Sequence, residues 1–389
     1  ASASSKAIGS SDTFPLVNTT GDVVVVSVNY RLGLLVWGEL GGLDPAYQGS
    51  GNNGVLDQIA ALEWVQAHIA SFGGDPRNVT AVGESEGAFS LSAMLATDNP
   101  QRLFRRVVLE SGSGYMIHSP ELQQAFTSRL NGLTLAQLKA MSPKDLLGLQ
   151  EKIIGPSSIG GAIYFGPSID GDLIRRPVID AVAAGNARGI DLLIGTNKDE
   201  IRYFAQLDPS LLRFSQQQYA AFFPKPLFPT RDQMIQTYQA NRPGQSDSDT
   251  ALAMLTDQTF RIPATRLAAA QNKWGRAYLY QFDWAPPGGL GAIHTAEMTF
   301  VFGTFSFTGN PGATDAYRAN PGPIRALSAQ MQRTWTLFAR TGITGWPRYD
   351  DRTRFTQIWN TPPHLAYKPA EAERAAWDNY PFPALTLNI

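Results

Sequence analysis

Cysteine is absent from all 389 residues, which removes disulfides, thiolate nucleophiles and cysteine-ligated metals from consideration. Histidine is scarce. There are only four, His68, His118, His294 and His364, and no two stand at a metal-ligand spacing, so neither a metal nor any other cofactor is expected. No apolar run approaches the roughly 20 residues needed to span a bilayer. Charged residues make up 17% of the chain and nearly cancel, at a formal net charge of -1. Without basic clusters or arms, nucleic acid is not expected as a partner. The chain opens on ASASSKAIGSSD, with neither a Met nor the apolar core of a signal peptide, so it reads as a processed protein or as one piece of a longer one.

What is present fits a globular protein with a sizeable core, at 43% hydrophobic residues. Asp22 to Val28 is a continuous β-branched run of strand length, which predicts a buried parallel strand. Leu56 to Ile69 carries apolar residues close to helical spacing and ends at Gly73-Gly74-Asp75-Pro76, a glycine stop with a proline beyond it. Val79 to Val82 predicts a second strand, Ala88 to Leu95 a helix, and Val107 to Leu109 a third strand. Strand, helix, strand, helix, strand implies βαβ units and an α/β fold with a mostly parallel sheet, whose ligands bind at the carboxyl ends of the strands. Further on, Leu135 to Leu149 is amphipathic, Asp191 to Thr196 and Ala277 to Phe282 are short apolar strands, and Ile324 to Arg340 has helical spacing. Residues 208–250, rich in Pro, Gln and aromatics, read as a helical cap-like insertion over the site within one domain spanning 1–389.

The chemistry centres on Gly83-Glu84-Ser85-Glu86-Gly87. A serine between small residues, at the apex of a strand-turn-helix, suits a strained elbow that lifts its hydroxyl to the open end of the sheet. A serine hydroxyl needs a base to take its proton, and the base needs an orienting acid. His68 lies within a helix, His118 follows a strand end, and His364 sits in an extended C-terminal segment. His294 follows a strand and the glycine-rich loop Pro286–Ile293, which is where a fold of this kind carries its base. Chain order then places the acid between Ser85 and His294, at Asp199 or Glu200, both just past a strand end. Residue chemistry alone does not separate those two.

Taken together, VVVVSVNYRLG from Val23, the run from Gly51 to Gly87, VVLESGS from Val107, GTNKDE from Gly195, GAIHTAEMTFVFG from Gly291 and WTLFARTGITGWPRYD from Trp335 resemble, in order, the landmarks of the type-B carboxylesterase (cholinesterase-like) family of α/β hydrolases. The resemblance implies a small-molecule ester as substrate, Ser85 as nucleophile, Glu200 as acid and His294 as base. It implies pocket or support roles for Glu84 and Ser111, and a buried ion pair between Arg31 and Asp57 beneath the elbow. Two departures stand out. The family's HGGG-type loop, which supplies oxyanion donors, does not precede Val23; an N-terminal fragment of the same protein is expected to carry it. The residue after the nucleophile, whose backbone N–H is the remaining donor, is Glu86 where the family mostly has alanine, so its carboxylate is expected to turn away or to pair with a cation. Two other readings stay open: a non-catalytic binding module of the same family, and a fold relative acting on lactones or amides.

Overall fold

The computed structural model describes residues 21–124, 126–154, 165–307 and 309–385, so the ASASSKAIGSSD segment lies outside the described residues. Its centre is a sheet of six strands, in the order β1 (Thr80–Glu84), β2 (Arg106–Glu110), β3 (Asp191–Asn197), β4 (Ala277–Phe282), β5 (Thr356–Trp359) and β6 (His364–Ala366). The first five are parallel and β6 turns back antiparallel on β5. Spatial order follows chain order, and every parallel step is made by a helical crossover, as parallel neighbours require. The central strands are buried on both faces, which is why β2 and β3 read as nearly unbroken apolar runs.

Helix α1 (Asn53–His68) precedes β1, and α2 (Glu86–Met94) follows it directly. The amphipathic stretch after Thr134 forms two helices, α3 (Leu135–Ala140) and α4 (Pro143–Ile154), parted at Met141, where the residue before Ser142-Pro143 takes extended backbone. Within 208–250 lie α5 (Gln216–Phe222), α6 (Arg231–Asn241) and the start of α7 (Asp247–Thr256). A π-turn, Asp257–Arg261, joins α7 to α8 (Ile262–Gln271). Pro263 lacks an N–H and its ring would strike the carbonyl four residues back in a regular helix, and the wider turn relieves both problems. Helix α9 (Met298–Phe302) follows the His294 loop, α10 (Pro321–Thr341) packs against it, and α11 (Glu371–Ala375) lies near the C-terminus. Among the described residues no helix is long and apolar enough to cross a membrane.

One strand expected from sequence does not form. Asp22–Val28 has no ladder partner among the described residues, and Val24, Val25 and Val26 are 46%, 39% and 42% exposed. A β-branched run records a preference for extended backbone, whereas a strand also needs a neighbour that accepts its hydrogen bonds. Among the described residues the outer edge of β1 likewise has no paired neighbour, and Val82, at mid-strand, is 48% exposed.

Candidate active site

Ser85 stands between β1 and α2 with φ 54° and ψ -120°, a region that L-residues rarely occupy and that stores about 1–3 kcal/mol. Two backbone hydrogen bonds hold it there. Its N–H donates to the Glu110 carbonyl at the end of β2 (2.9 Å), and its carbonyl accepts the first α2 bond from Phe89 (2.9 Å). Gly83 is required at this turn, because a Cβ there would lie 2.5 Å from the Gly87 backbone. Gly87 is less constrained than the sequence suggested, since its own Cβ would meet nothing closer than the Tyr30 hydroxyl at 3.8 Å.

The strand ends carry the partners. From the loop after β4, His294 Nε2 lies 2.7 Å from Ser85 Oγ, and Nδ1 lies 2.6 Å from Glu200 Oε2 just past β3. This geometry suits a neutral ring that donates from Nδ1 to Glu200 and accepts from the serine at Nε2. Glu200 is fully buried, and its other oxygen accepts the Asn197 N–H at 2.7 Å, which aims Oε2 at the ring. Asp199 faces elsewhere: its carboxylate accepts the Ala292 N–H at 3.0 Å and pairs with Arg202 at 3.8 Å. Of the other histidines, His68 is exposed at the end of α1, His364 is exposed in β6, and His118 is buried beside Gln123, 3.1 Å from its Nδ1.

Glu84 is buried and places Oε1 3.4 Å from His294 Nε2, so the imidazole faces a second carboxyl beside the serine. Ser111, also at a positive φ, donates to Glu297 Oε1 at 3.3 Å. Asn197 donates to the other Glu297 oxygen and to the Ile293 carbonyl, so Glu297 and Asn197 brace the turn that carries His294. Glu86 turns its carboxylate away from the serine onto Tyr30, whose hydroxyl donates to Oε2 at 3.1 Å; its partner is a phenol and not a cation. Arg31 and Asp57 do pair, through two side-chain bonds of 2.8 and 2.6 Å, but not in the interior. The Arg31 side chain is 53% exposed, because the segment that carries it lies outside the sheet, and such a pair contributes at most about 1 kcal/mol.

Several residues of the site escaped sequence reading. Glu110 pairs in register with Glu84 across β1 and β2, fully buried, with one oxygen accepting the Trp335 indole N–H. Tyr203, Phe204 and Phe260 surround the His294 ring at centroid distances of 6.0, 5.4 and 5.3 Å. The signals were present but local only in part: Glu110 lies in VVLESGS and Glu297 in GAIHTAEMTFVFG, while Phe260 belongs to no marked string.

Four buried carboxyls around one imidazole cannot all ionise at little cost. Burial, reinforced by neighbouring carboxylates, pushes Glu84, Glu110 and Glu297 above the ordinary carboxyl range. For His294, burial alone would lower the pKa. The facing Glu84, the hydrogen-bonded Glu200 and Glu297 outweigh it and carry the ring up to about 9. The acid limb of kcat/KM is therefore expected at higher pH than an ordinary imidazole gives. Glu84→Gln removes the ionisable carboxyl facing Nε2, whose ionised form holds the proton on the ring, so it should lower the His294 pKa and move that limb toward acid by on the order of one pH unit. A pH–rate profile with an unmoved limb would show that Glu84 does not act on the ring.

Glu110 makes a separate prediction about stability. Its folded pKa lies above the ordinary 4.5, so its contribution is fully present below that value and is lost as pH rises toward the folded pKa. Glu110→Gln keeps an oxygen for Trp335 and removes the ionisation. Its melting temperature should exceed wild type by a margin that grows from pH 5 to pH 8. An equal margin at both pH values would contradict the assignment.

Comparison with known proteins places these features in a family. The model of the carboxylesterase family matches residues 4–380. The chain belongs to the carboxylesterase family. It is similar to the para-nitrobenzyl esterase of Bacillus subtilis, 32% identical over 369 residues that cover 91% of this chain and 72% of that protein. The crystal structure of the Geobacillus stearothermophilus carboxylesterase EST55 superposes with a TM-score of 0.83 at 32% identity, covering 97% of this chain and 79% of that one. Neuroligin-3 of Mus musculus is 30% identical over 95% of this chain and 46% of its own length. The chain is thus a carboxylic ester hydrolase with the α/β-hydrolase fold. Among the described residues, no group of three or more His, Asp or Glu side chains is arranged to hold a metal ion.

Proposed function

We propose that the protein hydrolyses carboxylic esters of small molecules through an acyl-enzyme on Ser85. The observation that carries this reading is the unbroken hydrogen-bonded series Glu200–His294–Ser85, with the serine held at a strained turn. His294 takes the Ser85 proton as Oγ attacks the ester carbonyl, and Glu200 stabilises the resulting imidazolium without accepting the proton. Collapse of the tetrahedral adduct expels the alcohol, which leaves with the proton from His294. Water then repeats the sequence on the acyl-enzyme and regenerates the serine. The Glu86 N–H at the head of α2 donates to the oxyanion. The turn of the Glu86 carboxylate toward Tyr30 supports this, because it keeps a negative charge off the developing oxyanion.

The remaining oxyanion donors belong, in this reading, to an HGGG-type loop on an N-terminal fragment of the same protein. The exposed Val24–Val26 and Val82 support a docking position along the free edge of β1. Residues 208–250 serve as a helical insertion that walls the site. Phe214, Tyr219, Phe223, Phe228 and Tyr238 share one apolar cluster with Phe89 and Phe260, and this packing favours that role.

A binding module needs neither base nor acid, and retention of all three groups in hydrogen-bonded order favours catalysis over that alternative. The test is a panel of esters of graded acyl length, with a matched lactone and amide, run alongside N-terminal sequencing and intact mass of the native protein. Ester turnover above the lactone and amide is the expected result. Turnover of the amide or lactone alone would move the reading to a fold relative, and no turnover with any substrate would favour a binding module.

A further inference from the structure

The π-turn between α7 and α8 presents two faces to two different parts of the molecule. On one, Phe260 sets its ring 5.3 Å from His294 and 6.0 Å from Phe89. On the other, Asp257 and Arg261 enter a buried ionic network. Arg261 Nε donates to Asp257 Oδ1 at 2.5 Å, and its Nη2 lies 3.6 Å from Glu373 Oε2 on α11. Arg242, just past α6, holds Glu373 with two bonds of 2.7 and 2.8 Å. Tyr238 donates to Asp257, and the Trp377 indole donates to the Tyr238 hydroxyl at 2.7 Å. Asp257 and Glu373 are each 2% exposed. Two arginines balance two carboxylates, and a buried pair of this kind fixes geometry more than it adds net stability.

We propose that this clasp is a positioning device for the active site: Glu373, acting through Arg261 and Asp257, holds the π-turn in the register that stands Phe260 against His294. The C-terminal helix α11 thereby controls one wall of the site without touching the reacting atoms. The turn itself favours such a role. A π-bulge is locally under-determined by helix hydrogen bonding, so side chains beyond the helix decide where its residues point. Phe260 follows Asp257 by three residues and precedes Arg261 by one, so a shift of the clasp moves the ring.

The inference rests on the esterase reading above, and its test separates the two. In the full-length protein, Phe260→Leu, Glu373→Gln and the double variant are compared for the ratio of kcat/KM on a bulky acyl ester to that on an acetate. Each single change is expected to shift the ratio about five- to tenfold in the same direction, and the double variant is expected to shift it no further than Phe260→Leu alone. Should Glu373→Gln fail to fold, Arg261→Lys, which keeps the charge and loses the fork, takes its place in the cycle. A clasp that serves stability alone would lower the melting temperature and leave the ratio at the wild-type value, which would overturn the proposal. Independent, multiplying shifts would overturn it as well. Ser85→Ala is the control: turnover in that variant defeats the Ser85 reading, whereas a silent control with multiplying shifts defeats the clasp alone.

Discussion

Ser85→Ala is expected to remove ester turnover by a factor on the order of 10⁵–10⁶, with the melting temperature within a few degrees of wild type. The size follows from what the residue does. Without Oγ there is no acyl-enzyme, and the residual rate comes only from binding and oxyanion stabilisation of a direct water attack. The intact fold follows from where it sits. Ser85 is held by its backbone N–H and carbonyl, and among the described residues its side chain bonds to His294 Nε2. Alanine at φ 54° retains the backbone strain that serine already bears, so nothing further is lost. Kinetics on a panel of esters with a parallel thermal melt check both halves, and a variant that keeps a tenth of wild-type turnover would refute the role of Ser85.

Glu200→Gln is the second large effect, with kcat expected to fall about 10³–10⁴-fold. The amide can present its NH₂ group to Nδ1, which forces the imidazole into the tautomer that carries its proton on Nε2 and leaves no base facing the serine. The loss of charge acts in the same direction, because an imidazolium formed during attack would lose its closest counter-ion. Asp199→Asn supplies the contrast. Its carboxylate serves Ala292 and Arg202, whereas His294 Nδ1 is bonded to Glu200, so kcat should stay within about tenfold of wild type. A fall in the Asp199 variant equal to that in the Glu200 variant would mean that the local loop, and not the acid at Nδ1, sets the rate.

The adjacency of those two acids shows where sequence reasoning reaches its limit. They follow β3 by two and three residues, and only the path of the chain there decides which one turns toward the next loop. Asn197 makes that choice, because its N–H takes one Glu200 oxygen and so aims the other. The elbow was legible because its signal is contiguous: an apolar strand, a serine between glycines and a helix, all within a span that folds locally. Strand β4 was legible for the same reason, whereas β5 and β6 were not, being short, mixed in polarity and dependent on the preceding strand for a partner, β5 on β4 and β6 on β5. Asp22–Val28 failed in the opposite way, with full strand propensity and no neighbour among the described residues. The carboxyl cluster was hidden because Glu84, Glu110 and Glu297 meet only when β1, β2 and the His294 turn are assembled. Its consequence, an imidazole held above its ordinary range, could not be foreseen from four scattered histidines.

The central claim is a covalent acyl-enzyme on Ser85. It is tested most directly by mixing the full-length protein with an activated ester, quenching in acid within the first turnovers and mapping the added mass by peptide analysis. The expected result is one acyl group per chain, on the peptide that contains Ser85, appearing as a burst and absent from Ser85→Ala. Hydrolysis at the full rate with no adduct on that peptide, or an adduct on another residue that forms and decays at the turnover rate, would contradict it.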